Sequence, residues 1–363
     1  MRRQNSRIRF RNLEFDKTFL SLVFFLVVLG LIAIWDASAP LGIKEFGDKF
    51  YYVRQQFLWA IVGFLGMGFF YKFNLHYLRV FSNHIFYFAS FLLVIVLIPG
   101  IGISLLGARR WIDFGFFSFQ PSEFMKLALA IYVANLIDSK ADFKKVIFVF
   151  LIAVGLIMLQ PDLGTALVIA AIFFSQLFVS GFPLVNFVFL ATGGLLASII
   201  LIMTSDYRRQ RFMTFLSETT DPLGHGYHIR QVLLALGSGG LLGVGFGHSR
   251  QKHLFLPETA NDSIFAIIAE ELGFVGSLFL IFLLVYFIYR CLLIAKEAND
   301  YFKKILAIGI TGWFGGQILL NIGSMVALFP ITGIPLPFFS YGGTSLVVIM
   351  CACGIMLNIS KNS

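Results

Sequence analysis

Ten predominantly apolar stretches divide this chain, at 18–35, 55–71, 84–100, 122–137, 146–160, 163–180, 184–204, 263–290, 305–329 and 342–358. An α-helix needs about 17–25 such residues to cross the hydrocarbon core of a bilayer. Backbone that crosses lipid must satisfy its own hydrogen bonds, which at this run length leaves the helix. The expected fold class is therefore all-α, a polytopic integral membrane protein with about ten transmembrane helices. Composition agrees: only 13% of the 363 residues are charged, against about 25% in soluble domains.

The net charge of +9 would raise nucleic acid as a partner of a soluble chain. Here the basic residues sit mostly in short loops, where they set orientation in the membrane instead. An even number of spans puts both termini on one side. That side carries Arg2, Arg3, Arg7, Arg9, Arg11 and Lys17 in the tail, Lys72 and Arg79, then Lys140, Lys144 and Lys145, and Lys296, Lys303 and Lys304. The positive-inside rule makes it cytoplasmic. The first apolar run exceeds the roughly 7–15 residues of a signal-peptide core, so it reads as an uncleaved span. The expected layout is a cytoplasmic tail at 1–17, one transmembrane domain at 18–358 and a cytoplasmic tail at 359–363. Outer loops fall at 36–54, 101–121 and 330–341, with one long outer loop at 205–262.

The long loop is the outlier. Arg208, Arg209, Arg211, Arg230, Arg250 and Lys252 lie in it, yet long loops weigh little in orientation. A basic outer loop suits an anionic headgroup or a pyrophosphate. No repeat or matched pair of broken helices marks the chain as an inverted-repeat carrier.

Charges in or beside spans are costly and default to functional hypotheses. Glu123 and Lys126 lie three apart on one helix face; they read as a structural ion pair or as part of a site. Asp162 after Pro161 reads as a helix cap. Glu270 and Glu271 enter the eighth span, where one of them faces the interior to hold substrate or a partner group, or to pack against other helices. Asp262 ends the long loop at the membrane boundary, where a carboxylate serves equally as a general base or as a helix cap. Arg109 and Arg110 precede Trp111 in the 101–121 loop, an interfacial aromatic anchor or a headgroup contact. The glycines from 237 to 247 have neither the lysine nor the strand context of a phosphate loop. Cys291, Cys351 and Cys353 lie in apolar runs without metal or disulfide spacing.

As a set, GARRWIDFGFFSFQPSEFMK, QPDLGTA, YRRQRFMTFLSETTDPLGHGYH, LPETANDSIFAIIAEELG and FPITGIPLPFFSYGGTSL resemble the SEDS family of shape, elongation, division and sporulation proteins. The resemblance runs from about residue 15 to 360 and lies nearest the division-type branch, with the elongation type as runner-up. It implies a ten-helix fold and β-1,4 polymerisation of lipid II on the outer face of the bacterial inner membrane. It also implies partners: lipid II and the lipid-linked glycan, a single-span class B penicillin-binding protein that cross-links the strands, and other divisome proteins. No tightly bound cofactor is implied; a divalent cation, Mg or Mn, is a candidate helper.

Carried over residue by residue, the family's essential aspartate matches Asp262, although Ser263 replaces an aromatic in the commoner form. Its Glu and Lys match Glu123 and Lys126, its loop tryptophan matches Trp111, and the preceding positive pair matches Arg109 and Arg110. Glu270 joins the expected substrate-binding set from its position in the eighth span. A lipid II flippase is the alternative function. Gly273, Gly276, Gly309, Gly312, Gly315 and Gly316 offer small faces for a partner's transmembrane helix, or for packing within the chain.

Overall fold

The structure, a computed structural model, describes residues 15–105, 108–115, 117–203, 209, 213, 225–253, 256 and 259–361. Most of the N-terminal basic tail and much of the long loop, including Arg208 and Arg211, lie outside the described residues. Twelve helices are described: α1 (Lys17–Phe46), α2 (Tyr51–Lys72), α3 (Leu75–Val80), α4 (Ser82–Ile95), α5 (Pro121–Asp138), α6 (Phe143–Met158), α7 (Leu163–Val179), α8 (Leu184–Met203), α9 (His225–Gly239), α10 (Ile264–Glu297), α11 (Tyr301–Met325) and α12 (Gly343–Ser360). Ten of them coincide with the ten apolar stretches; α3 and α9 are extra. Among them α1, α2, α10, α11 and α12 are long and apolar enough to cross a membrane by length and composition alone.

Loops assigned to the same side meet in the fold. At one end Asp16 pairs with Arg290, its backbone N–H donates to Ser360 Oγ at 3.2 Å, and Lys361 reaches the carbonyl of Tyr71 at 2.7 Å. Arg79 pairs with Asp138 between two loops of that same set. At the other end Tyr341 donates its N–H to Ala260 O at 2.7 Å, and Thr344 donates to Ser118 O at 3.1 Å.

Three expectations are corrected. The outer loop drawn at 36–54 is mostly helix. Asp16 caps α1 by accepting from Phe19 N at 2.9 Å, and α1 continues through Pro40 until Gly47, whose φ of 68° ends it. Proline inside a helix costs one ladder hydrogen bond and crowds the carbonyl four residues back, yet α1 carries Pro40 without ending there, so the apolar run stops before the helix does. Second, the 101–121 loop contains a small antiparallel sheet of β1 (Gly102–Leu105), β2 (Ala108–Asp113) and β3 (Ser118–Phe119), in that order.

Third, α10 is not one straight span. Gly273 has φ 66° and ψ −166°, which breaks the helix after two turns; only glycine adopts such backbone readily. A helix break frees backbone groups that need partners. The glycine-rich stretch after α9 supplies them. Val244 and Gly245 donate to the carbonyls of Glu270 and Glu271 at 3.0 and 3.1 Å, and Phe274 and Val275 donate to the carbonyls of Gly240 and Leu241 at 2.9 and 3.1 Å. A Cβ on Gly273 would stand 2.2 Å from Gly243 N, and one on Gly243 would stand 2.0 Å from Glu271 O. Those glycines make a backbone-to-backbone junction.

The small residues of α11 are also occupied. A Cβ on Gly309, Gly312 or Gly316 would meet Gln176, Ser175 or Ala171 of α7 at 2.2–2.7 Å. These three glycines therefore let α11 approach α7 and are not open to a partner helix.

Candidate active site

The first turn of α5 carries the charged pair. Pro121 opens the helix at a position where a missing N–H costs nothing. Glu123 and Lys126 then face inward, 2% and 1% exposed. The Lys126 ammonium donates to Glu123 Oε1 at 2.6 Å and to Gln317 Oε1 at 3.0 Å. It also stands 5.1 Å from the centre of the Trp313 ring. A buried ammonium is tolerable only with such compensation. Glu123 thus fixes Lys126 while its own Oε2 is buried without a hydrogen-bond partner among the described residues.

Asp262 lies just before α10 and is 7% exposed. Ser263 occupies the cap position of that helix and makes no side-chain cap. Ser263 Oγ lies 3.4 Å from Asp262 Oδ1. A Cβ on Gly333, whose φ is +69°, would stand 3.8 Å from Asp262 Oδ2. The 330–341 loop therefore passes its backbone directly beside the carboxylate.

Two uncharged residues join these parts. Gln317 on α11 donates to Pro335 O at 2.8 Å while accepting from Lys126 and from Trp313 Nε1. One turn on, Asn321 donates to the backbone carbonyls of Asp262 and Ile334, both at 2.8 Å. Neither belongs to a charged motif; the available signal was two amides four apart in an apolar run.

The remaining candidates stand further out. Asp162 is a cap, accepting from Thr165 N and Oγ1 at 3.0 and 2.9 Å. Arg110 on β2 donates to the carbonyls of Gln160 and Pro161 at 3.2 and 2.6 Å and lies 3.8 Å from Asp162. Arg109, on the opposite side of the strand, reaches Leu97 O at 3.5 Å. Both arginines thus also hold turn carbonyls. Trp111 is half-buried in β2, opposite Ile103.

Glu270 has many partners within the chain. It accepts from Ser238 Oγ, Ser249 Oγ, Arg250 N and Gln251 N. Its carboxylate therefore ties the end of α9 and the loop that follows to α10. Glu271 does the same through Gly247 N, Ser249 N and Lys252 Nζ.

Comparison with known proteins agrees with this architecture. The sequence profile of the cell cycle protein family FtsW/RodA/SpoVE matches residues 17–363. Stage V sporulation protein E of Bacillus subtilis is 39% identical over 96% of this chain and 97% of its own length. A protein of Trichlorobacter lovleyi named probable peptidoglycan glycosyltransferase FtsW is 38% identical over 97% of this chain and 94% of its own. Among solved structures, a chain from a peptidoglycan synthase complex that coordinates polymerization and crosslinking superposes with a TM-score of 0.77 at 28% identity, covering 95% of this chain and 97% of that one. The rod shape determining protein RodA of Thermus thermophilus gives 0.71 at 26%, over 95% and 96%.

Proposed function

The chain belongs to the FtsW/RodA/SpoVE family of cell cycle proteins, and from that membership we propose that it is a peptidoglycan glycosyltransferase that passes a lipid-linked glycan strand onto lipid II. The carrying observation within the chain is Asp262, a buried carboxylate at the mouth of α10, framed by the same loop that reaches Lys126 through Gln317. The acceptor's sugar hydroxyl attacks C1 of the donor strand. The C1–oxygen bond to the pyrophosphate breaks, and the hydroxyl proton passes to Asp262. A donor α-linked to pyrophosphate and a β-linked product require one inverting displacement, for which one base suffices, as in inverting glycosidases.

The pyrophosphate leaves with its own charge and needs cations rather than an acid. Lys126 is assigned this role, with Arg109 and Arg110 as further cations. Among the described residues no group of three or more His, Cys, Asp or Glu side chains is arranged to hold a metal. Magnesium is commonly held by one or two carboxylates together with substrate phosphates, so a divalent ion stays a candidate helper beside the chain's own cations.

The partner that fits is a single-span class B penicillin-binding protein, which would cross-link the strands as they emerge. Both termini belong on the cytoplasmic side, on the charge asymmetry of the short loops. Reporter fusions at positions 142 and 300 then read cytoplasm, and one at 115 reads outside. The deciding experiment is incubation of purified protein and its transpeptidase with lipid II, followed by gel separation of the products. A ladder of polymer is expected. Lipid II translocation in vesicles without any polymer would replace the reading with transport.

A further inference from the structure

We propose that Gln317 and Asn321 are positioning residues that together set the base Asp262 against the cation Lys126, through the Ile334–Pro335 segment as a shared strap. This rests on the polymerase reading of the site. The two amides lie four residues apart on α11, hence one above the other on a single face. They grip neighbouring carbonyls of the same segment: Asn321 holds Ile334 O and Gln317 holds Pro335 O, each at 2.8 Å. Each has one further grip on a site residue. Gln317 accepts from Lys126 Nζ at 3.0 Å, and Asn321 donates to the backbone carbonyl of Asp262 at 2.8 Å.

The orientation of both amides is dictated by their partners. Only an amide NH₂ satisfies two carbonyl oxygens, which fixes Asn321. Only the amide oxygen accepts from both an ammonium and an indole N–H, which fixes Gln317. Both are fully buried. Apolar side chains would fill the same space at less desolvation cost. What the amides add is a closed frame running from Lys126 through Gln317, Pro335, Ile334 and Asn321 to Asp262. Gly333, next in the strap, lies against the Asp262 carboxylate. Any shift of the strap therefore moves the base relative to the cation. Misplacing reacting groups by about 1 Å costs up to about 100-fold in rate.

The test uses the full-length protein with its transpeptidase and measures lipid II polymerisation. Gln317→Met and Asn321→Leu keep size and remove the grips. Each should lower kcat about 10- to 100-fold while KM for lipid II changes less than about threefold, the pattern of lost placement rather than lost binding. Because both act through one strap, the double variant should lose little more than the worse single one. Should either variant fail to fold, Gln317→Asn and Asn321→Ser, polar but too short to reach the strap, should fold and show the same kcat loss. Wild-type kcat in either background overturns the proposal, as does a double variant whose loss is the full product of the single losses. A wild-type protein that makes no polymer instead overturns the polymerase reading beneath it.

Discussion

Lys252 Nζ stands 2.7 Å from Asp36 Oδ1, joining the outer part of α1 to a loop 216 residues away. The same ammonium lies 2.8 Å from Glu271 Oε1. Burial pushes the Lys252 ammonium down, but hydrogen bonds and charge from Asp36 and Glu271 more than offset this, and its pKa ends above the ordinary lysine value. A raised lysine stabilises the fold fully below its unfolded pKa, and that contribution is lost only as pH climbs through the folded value. The clamp is therefore intact at neutral pH.

Lys252→Met keeps the stem of the side chain and deletes the charge, leaving two carboxylates without their cation. Breaking a buried pair from one side costs about 3–5 kcal/mol. The variant should melt several degrees lower in detergent and be cut faster by protease within 239–253. Adding Glu271→Gln removes one of the stranded charges and should restore part of the loss. Equal melting of Lys252→Met and wild type would show that the clamp contributes nothing.

Gly273→Ala and Gly243→Ala should each be severely destabilising. Both residues combine positive φ with a neighbouring backbone atom closer than any Cβ tolerates. The conformational part alone costs about 1–3 kcal/mol, and the clash separates the two backbones that satisfy each other. Gly237→Ala, in α9 with nothing within 4 Å of the new Cβ, should instead gain about 0.5–1 kcal/mol. Yield of monodisperse protein after extraction and melting temperature compare the three. Matching losses at 237 and 273 would refute the junction.

Much of this was legible in the sequence because it depends on spacing. Apolar run length located ten of the twelve described helices, and the three-residue interval between Glu123 and Lys126 put them on one face. Pro161–Asp162 announced the cap of α7. What stayed hidden depends on distant partners. The break at Gly273 lies inside a stretch long enough for one continuous span, and the glycine-rich stretch some thirty residues earlier makes it affordable. Glu270 reads as a site residue because intramembrane carboxylates usually are; its donors within the chain come from Ser238 in α9 and from the stretch that follows. Gln317 and Asn321 carry no charge and therefore escape a search built on the cost of charge.

The pair Glu123 and Lys126 can be divided into a structural and a functional share. Lys126→Met strands a buried carboxylate and should reduce both stability and polymer formation. The double variant Glu123→Gln with Lys126→Met removes both charges, which often leaves stability near or above that of the pair. It should fold well and still make little glycan, since the cation proposed to balance the leaving group is gone. Recovery of activity along with stability would reduce the pair to a packing device.

Asp262→Asn is the most direct test of the chemistry. The substitution keeps the size of the side chain and the backbone carbonyl that Asn321 holds. It also keeps an oxygen able to accept from Ser263 Oγ. The basicity and the negative charge are lost, and Ser263 rather than Asp262 occupies the cap position of α10. The fold should therefore survive: melting temperature and recovery with the transpeptidase should match wild type. Removing a general base typically lowers the rate about 10²- to 10⁴-fold, so polymer should fall close to the limit of detection. Cys351→Ala, a small trim within an apolar helix, serves as the matched control and should polymerise normally. If Asp262→Asn extends glycan strands at the wild-type rate, the proton goes elsewhere, and the frame built by α11 and the 330–341 loop holds a structural carboxylate rather than a base.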